Sequence, residues 1–338
     1  MSASQVVVEA PGSHRVEEHT PRDPGPGEAL VAVHAVGICG SDREVYQGNR
    51  PEGYVRYPLT PGHEWSGTVR AVGAGVPGVL VGRKVVGEGF RNCQVCDRCH
   101  AGETTLCTDG YEETGFTQPG AMATTLTLPA RLLHVLPDDA DLTAAALLEP
   151  AACIAAAALK GNARPGERVA VVGTGTLGMF AVQFLKAVSP GELLVVGTRN
   201  DREALSRQFG ATDFRTRNAE SPALPDDFDV VIETAGSASA ARTAASLLRR
   251  GGRLVLTGIP AAGADGLDPT DLVVRQLEVH TVFGAPPDAW AHTVRVFGAG
   301  LLDPSPLITH ELPLTEFPQA IELVGAGDPK VGKVLLRP

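Results

Sequence analysis

The chain has 338 residues, of which 43% are hydrophobic, so it is long enough for two domains with buried cores and is not a disordered protein. Asp+Glu 39 against Lys+Arg 29 give a net charge of −10, and no basic stripe runs along the sequence, so neither nucleic acid nor a membrane surface is an expected partner. Because the N-terminus lacks a signal-peptide pattern and no apolar stretch is long enough to cross a bilayer, we expect a cytoplasmic protein.

The first 150 residues are dense in Gly, Pro, Val and Thr and contain short apolar runs, such as residues 29–36 and 67–72. Runs of this length between turn residues predict β-strands joined by tight connections. The composition changes at residues 142–160, where an alanine-rich segment predicts a helix. Beyond residue 300 the chain returns to the proline-rich composition of the first part.

Between these two parts, apolar strands alternate with helical segments. Strands are predicted at residues 168–172, 193–196, 230–232, 253–256 and 278–282, and helices at residues 177–187, 202–209 and 238–250. Alternation with short links is typical of a doubly wound parallel sheet. The sequence therefore predicts an α/β protein in which a Rossmann domain, residues 153–291, is inserted into a β-rich domain built from residues 1–152 and 292–338.

Several potential metal ligands occur singly in the β-rich part. They are Cys39 in GICGSD, His63 and Glu64 in PGHEWSG, and Glu149 in LLEPAAC. Each alone is typical of a core or helix-end residue, but together they offer sulfur, nitrogen and oxygen ligands. Three protein ligands with an open fourth position define a catalytic zinc site, where the metal lowers the pKa of a substrate alcohol. These residues therefore form a candidate catalytic zinc site.

A cluster of four cysteines has the spacing C-x2-C-x2-C-x7-C and comprises Cys93, Cys96, Cys99 and Cys107. Four thiolates on one short loop can enclose a tetrahedral zinc ion, and such a closed site is structural. An iron–sulfur cluster also takes four cysteines and is the weaker alternative. Hydrophilic neighbours argue against free thiols in a core, so the loop predicts a structural zinc site.

A glycine motif follows the first strand of the alternating region. Gly173, Gly175 and Gly178 form G-x-G-x-x-G between an apolar strand and the start of a helix. In that context the motif is a dinucleotide-binding fingerprint, and the pyrophosphate is expected at the N-terminus of the helix.

The next strand ends at Gly197-Thr198-Arg199-Asn200, where an NAD enzyme usually carries an acidic residue that binds the ribose hydroxyls. Gly197 removes that negative charge and Arg199 supplies a positive one, which favours a ribose 2′-phosphate. The sequence therefore predicts NADP(H) as the cofactor. NAD(H) is the alternative if Arg199 is only a solvated surface residue.

Taken in this order, the motifs resemble those of the zinc-dependent medium-chain dehydrogenase/reductase superfamily over essentially the whole chain. The GHE and EP motifs are similar to the sorbitol, threonine and glucose dehydrogenase branch, and GICGSDRE is similar to archaeal-type glucose dehydrogenases. PGHEWSG resembles the aminocyclitol (2-deoxy-scyllo-inosamine) dehydrogenases, while the turn after Gly197 resembles that of NADP-dependent secondary alcohol dehydrogenases. The resemblance implies a GroES-like β-rich domain and a homodimer or homotetramer.

The resemblance also implies roles for single residues. Cys39 and His63 match the first two ligands of the catalytic zinc, Glu149 matches the acidic third ligand, and Glu64 matches a neighbour that can enter the shell. Ser41 matches the hydroxyl that begins a proton relay, and the four clustered cysteines match the structural zinc lobe. The implied cofactor contacts are Gly173, Gly175, Thr176, Leu177, Gly178, Thr198, Arg199, Asn200 and, close to the cofactor phosphates, Lys333.

One position departs from the pattern of many relatives, which carry a histidine three residues after the relay hydroxyl. This chain has Glu44 there, as do the glucose-dehydrogenase-like members. The proton exit is therefore expected through Glu44 or water, unless Glu44 contacts a polyhydroxy substrate.

The expected activity is a zinc-dependent NADP(H) oxidoreduction between a secondary alcohol and a ketone on a sugar, polyol or aminocyclitol. Polar residues 41–49 beside the candidate zinc, together with Glu112 and Glu113, favour a small polyhydroxylated substrate. The alternatives are a simple secondary-alcohol or threonine-type dehydrogenase using NAD(H), a zinc-free quinone or enone reductase, and a catalytically inactive member of the family.

Overall fold

The computed structural model describes residues 3–217, 224–260 and 266–338. The chain divides into two compact units. The first unit comprises Met1–Glu149, Pro286–Gly298 and Asp303–Pro338, and the second comprises Pro150–Ala285 and Ala299–Leu302.

The described residues form strands and helices that we number in chain order. The strands are β1 (Ser4–Ala10), β2 (Ser13–Glu18), β3 (Glu28–Gly37), β4 (Glu64–Val72), β5 (Lys84–Gly87), β6 (Thr125–Pro129), β7 (Leu133–Val135), β8 (Arg168–Val172), β9 (Glu192–Gly197), β10 (Asp213–Thr216), β11 (Phe228–Glu233), β12 (Leu248–Leu256), β13 (Glu278–Thr281), β14 (Ile308–Pro313) and β15 (Lys333–Arg337). The helices are α1 (Gly40–Gln47), α2 (Asp97–His100), α3 (Leu142–Ala145), α4 (Leu148–Gly161), α5 (Thr176–Ala187), α6 (Glu203–Phe209), α7 (Ala238–Leu247), α8 (Pro269–Arg275), α9 (Pro287–Gly298) and α10 (Phe317–Gly325).

The first unit is built on a sheet with the strand order β14-β15-β3-β4-β5-β7, and β6 also pairs with β3. Apolar side chains that alternate along β3 and β4, such as the buried Val31, Val36 and Trp65, form its core. The register places Gly37 of β3 opposite Glu64 of β4 and opposite Leu335 of β15. Three segments that are distant in the sequence therefore meet at the end of β3.

Helix α9 lies wholly in the first unit, whereas the sequence prediction begins the returning segment at residue 292, and Ala299–Leu302 belong to the second unit. Trp290 of α9 is only 2% exposed, and its indole stacks on the imidazole of His134 with 5.3 Å between the ring centroids. Burial of a large aromatic surface fixes the helix on this core.

The second unit contains a parallel six-stranded sheet in the order β10-β9-β8-β11-β12-β13. The chain runs outward from β8 to β10 and then returns to β11 on the other side of β8. The strand order therefore reverses between β8 and β11, and ligands of such sheets bind at this position, beyond the carboxyl ends of the strands. The predicted doubly wound α/β fold is confirmed.

Three local features of this unit differ from the sequence prediction. Strand β10 and helix α8 are additional, and the predicted helix at residues 238–250 ends at Leu247. Leu248 has an extended backbone (φ −74, ψ 142) and pairs with Phe228, followed by a register shift. Leu248 is completely buried, so its contribution to the core outweighs the helical pattern of the preceding residues. None of the helices in the part of the chain described is long and apolar enough to span a membrane.

Candidate functional site

A group of potential metal ligands lies in the first unit, where β3 meets β4. The ligand atoms of Cys39, His63 and Glu64 all lie within 4.8 Å of one another. Cys39 follows β3 and is the N-cap of α1, whereas Glu64 begins β4, so the pairing of the two strands brings these residues together. Gly37 is required at this crossing, because a Cβ atom there would lie 2.3 Å from Oε2 of Glu64.

The imidazole of His63 is buried beside the carboxylate of Asp42, which the sequence analysis did not single out as a site residue. His63 Nδ1 lies 3.6 Å from Asp42 Oδ1, and neither atom has a hydrogen-bond partner in the described part of the chain. Burial opposes a charge on His63, but the negative charge of Asp42 outweighs it and holds the pKa of His63 well above its usual value. Because Nδ1 faces Asp42, Nε2 is the nitrogen at which a zinc ion would replace a proton.

Asp42 is also tied to the backbone of the candidate ligand Cys39. Its Oδ2 accepts a hydrogen bond from the N–H of Cys39 at 2.9 Å, and its side chain is buried. One carboxylate thus contacts both Cys39 and His63. The position of Asp42, three residues after Cys39 in the first turn of α1, is the sequence signal that could have identified it.

Glu64 is paired with Lys333, which begins β15. Lys333 Nζ donates to Glu64 Oε1 at 2.5 Å, also donates to Oε2, and reaches the carbonyl of Ile38 at 3.3 Å. Burial alone would lower the pKa of Lys333, but the charge of Glu64 outweighs it and the pKa is raised. The resemblance implied a contact between Lys333 and the cofactor phosphates. The buried ion pair instead favours a role beside the metal-ligand group.

Glu149 is not part of the group of ligand atoms within 4.8 Å of one another. Glu149, in the first turn of α4, is partly buried, and its charge raises the pKa of both Glu113 and Lys333. Its electrostatic influence therefore reaches the metal-ligand group. Ser41, in the first turn of α1, has its hydroxyl oxygen 3.8 Å from the sulfur of Cys39.

A further buried carboxylate, that of Glu113, is electrostatically coupled to the metal-ligand group. Its Oε2 accepts a hydrogen bond from the hydroxyl of Tyr111 and lies 3.7 Å from Nη2 of Arg50. Burial raises the pKa of Glu113 to about 7, with Glu149 adding to the rise and the positive charges of His63 and Arg50 opposing it. A carboxyl group with this pKa can change its protonation near neutral pH.

Arg50 contacts both Glu113 and the ring of Phe116, and Phe116 in turn packs against the imidazole of His63. Its guanidinium lies 3.8 Å from the ring centroid of Phe116, and the ring of His63 lies 4.7 Å from the same ring. Arg50 also donates to the hydroxyl of Tyr111 at 2.8 Å. Sequence patterns did not reveal Arg50, because its partners are distant along the chain.

The four clustered cysteines form the other ligand group, with all sulfur atoms within 4.8 Å of one another. Backbone N–H groups of Thr108 and Cys99 lower the pKa of Cys96 to about 5, whereas burial raises the pKa of Cys99 to about 12. Such a split indicates that the thiols cannot all ionise together without a cation. None of these cysteines forms a disulfide. The donor set therefore fits one tetrahedral zinc ion.

In the glycine motif of the second unit, a different geometric constraint explains the glycine at each position. A Cβ atom at Gly173, where φ is +119°, would lie 2.4 Å from Oγ1 of Thr234, and one at Gly178 would lie 2.0 Å from the carbonyl oxygen of Gly173. Around Gly175, the N-cap of α5, a Cβ would meet nothing within 4 Å. The open space lies at the start of α5, where the first backbone N–H groups of a helix have no intrahelical partner, so the residues fit a bound pyrophosphate.

The turn after β9 carries the residues predicted to distinguish the two cofactors. A Cβ atom at Gly197 would lie 2.7 Å from Cγ2 of Thr174, so this position is crowded. Thr198, Arg199 and Asn200 are all exposed. The Arg199 side chain is 60% exposed, and its Nε is 3.5 Å from Oδ1 of Asp201. The guanidinium of Arg199 therefore forms only a long ion pair with Asp201 and is accessible to an anion.

Comparisons with known proteins agree with both units. Residues 25–138 match the alcohol dehydrogenase GroES-like domain, and residues 176–298 match the zinc-binding dehydrogenase domain. The chain is 30% identical to an L-threonine 3-dehydrogenase of Coxiella burnetii, with 97% of this chain and 96% of that protein covered.

Solved structures extend the likeness to the whole chain. A zinc-binding dehydrogenase from Sinorhizobium meliloti bound to NADP has a TM-score of 0.91 and 26% identity, with 100% of both chains covered. Galactitol-1-phosphate dehydrogenase from Escherichia coli has a TM-score of 0.88 and 25% identity, with 99% of this chain and 100% of that chain covered. With its two matched domains and full-length relatives, the chain belongs to the zinc-dependent medium-chain dehydrogenase/reductase superfamily, as an alcohol- or polyol-type dehydrogenase.

Proposed function

We propose that the protein is an NADP(H)-preferring zinc enzyme that interconverts a secondary alcohol and a ketone on a sugar, polyol or aminocyclitol. The observation that carries this proposal is the group formed by the half-buried Cys39 and the buried His63 and Glu64, together with the coupled carboxyl group of Glu113. A polyhydroxylated or amino-bearing substrate would offer additional hydrogen-bond donors to the carboxyl group of Glu113, which a simple alcohol lacks.

In this proposal Cys39 and His63 hold the catalytic zinc, and Glu64 or Glu149 completes the set. When bound, zinc would supply Lewis-acid polarisation of the substrate oxygen, and the nicotinamide would supply the hydride-transfer chemistry. Asp42 orients the imidazole through Nδ1.

Proton transfer is assigned to Ser41 and Glu44 in the same proposal. The Ser41 hydroxyl, in the first turn of α1 beside Cys39, would accept the proton of the substrate alcohol while it donates its own proton onward to Glu44. Glu44 is three residues further along α1, and its side chain is 54% exposed, so a proton passed to Glu44 reaches solvent.

The substrate assignment predicts selectivity for ring polyols. The test is kcat/KM with saturating NADP(H) and zinc on a panel of sugars, polyols, aminocyclitols, L-threonine, 2-butanol and benzyl alcohol. A polyol or aminocyclitol should exceed the simple alcohols by at least about 100-fold, since loss of hydrogen bonds to buried charged groups costs about 1.5–3 kcal/mol each. L-threonine as the best substrate would favour the activity of the 30% identical relative. Equal efficiency on 2-butanol would contradict the assignment.

Glu113 should make this selectivity depend on pH. Because burial raises its pKa to about 7, Glu113 is neutral below that pH and negative above it. An amino-bearing substrate should therefore bind more tightly as the pH rises through 7, and Glu113→Gln should flatten this dependence and lower kcat/KM by about tenfold or more. The matched control is Glu112→Gln, in which the altered group pairs with Arg56 at 2.8 Å near the surface. The same profile for Glu113→Gln and the native enzyme would exclude Glu113 from the substrate site.

Cofactor preference should follow Arg199. A charge-assisted contact with a 2′-phosphate is worth about 1.5–3 kcal/mol, or about ten- to a hundredfold in affinity, so Arg199→Ala should weaken NADPH by that factor and change NADH little. Equilibrium dissociation constants from fluorescence titration give the measurement. The control is Arg250→Ala, which alters an exposed arginine near the start of β12, a strand on the other side of β8 from the turn after β9. Equal losses for the two cofactors would show that Arg199 does not contact a phosphate.

A further inference from the structure

Glu233, the last residue of β11, is a buried carboxylate in the second unit that has no part in the chemistry proposed above. It is only 1% exposed. Its Oε1 accepts hydrogen bonds from the N–H groups of Ala235 at 2.7 Å and Gly236 at 2.8 Å. Burial raises the pKa of Glu233, and the N–H groups of Ala235, Gly236 and Gly258 oppose this rise by favouring the charged form. Ala235 and Gly236 follow β11, whereas Gly258 follows β12. One side chain therefore joins the loops after two adjacent strands.

The main chain of Glu233 strengthens the same connection. Its carbonyl oxygen accepts from both the N–H and the hydroxyl of Thr257, at 3.0 and 2.8 Å. The two loops are in close contact, because a Cβ atom at Gly258 would lie 2.1 Å from the nitrogen of Gly236. The carboxylate thus satisfies N–H groups that converge where the packing is tight.

The neighbouring residue connects these loops to the dinucleotide fingerprint. The N–H and the hydroxyl of Thr234 both donate to the carbonyl of Val172 at the end of β8, at 2.8 and 3.1 Å. Thr234 Oγ1 also occupies the space that a Cβ atom at Gly173 would need. The ends of β8, β11 and β12 are therefore held together by two consecutive side chains.

These loops lie at the carboxyl ends of the strands, where a dinucleotide crosses a doubly wound sheet. The turn with Arg199 follows β9, on one side of β8, and suits the adenosine half of the cofactor. The loops after β11 and β12 are on the other side of β8 and so face the nicotinamide half. We propose that Glu233 is a positioning residue whose carboxylate fixes both loops in the conformation that receives the nicotinamide. This inference rests on the cofactor binding of the proposed function.

The test compares NADPH with 2′-phospho-ADP-ribose, which lacks the nicotinamide, by calorimetric titration of the whole protein. Glu233→Ala should weaken NADPH by about tenfold and leave 2′-phospho-ADP-ribose within about twofold, because the adenosine half does not use these loops. In the cofactor-free protein, hydrogen exchange should become faster in peptides that contain residues 234–237 and 257–260. Glu278→Ala is the control, since it alters a glutamate of β13 whose side chain is 64% exposed.

Glu233→Gln keeps the experiment decisive if the alanine variant does not fold. Its amide oxygen can still accept from the N–H groups of Ala235 and Gly236, but the side chain no longer carries a negative charge. The loss of NADPH affinity should therefore be smaller, about threefold, and again confined to NADPH. Equal weakening of both ligands, or unchanged NADPH affinity with unchanged hydrogen exchange, would overturn the role of Glu233. Failure of the native protein to bind either ligand would instead overturn the proposed cofactor.

Discussion

Replacing Cys39 by alanine should abolish turnover with the fold retained, whereas replacing Cys96 should destabilise the protein. The reason is the difference between the two ligand groups. Cys39, His63 and Glu64 provide a set of different donors beside buried acidic residues, whereas the cysteine cluster provides four equivalent sulfur atoms. A site with an open position serves catalysis, and a closed four-cysteine site contributes folding free energy.

The measurements are zinc content, kcat and the midpoint of thermal unfolding. Native protein should contain two zinc ions per chain, and each variant one. Cys39→Ala should lower kcat by about three orders of magnitude or more, because the metal supplies several kcal/mol of charge stabilisation. Cys96→Ala should lower the midpoint by about 10 °C or more, because several kcal/mol of metal-linked stability is lost. One zinc or none in carefully prepared native protein would refute the assignment of two sites.

Replacing Lys333 by methionine should cost about 3–5 kcal/mol of the free energy of unfolding, because it leaves the carboxylate of Glu64 buried without its cation. The side chains of Lys333 and Glu64 are 8% and 1% exposed, so solvent cannot replace the lost partner. Denaturant unfolding in a Cys39→Ala background measures the effect, because a zinc ion held beside Glu64 would itself compensate the carboxylate.

The double variant Glu64→Gln with Lys333→Met separates an ion-pair effect from a packing effect. Most of the lost stability should return, because the uncompensated charge is removed together with its partner. Lys330→Met, which changes an exposed lysine of the same region, should be nearly neutral. If the double variant is as unstable as Lys333→Met, the packing of the lysine stem, not its charge, is responsible.

The features that the sequence alone predicts are those whose residues lie close together in the chain. The four cysteines occur within one short loop, and the glycines of the fingerprint lie within six residues between a strand and a helix. Their spacing specifies a local backbone conformation, and local conformation determines which ligand can bind. The same local periodicity, repeated along residues 168–282, predicts the parallel sheet, which the structure confirms.

Tertiary structure alone decides which distant charges become partners. Lys333 and Glu64 are 269 positions apart, yet the register of β3 with β4 and β15 brings them together. Burial then determines the protonation of such groups, as the pKa of Glu113 illustrates. The convergence of two loops on Glu233 depends likewise on strands that are neighbours only in the folded sheet. Neither strand register nor burial is encoded in the spacing of single residues, because both depend on the packing of the whole unit.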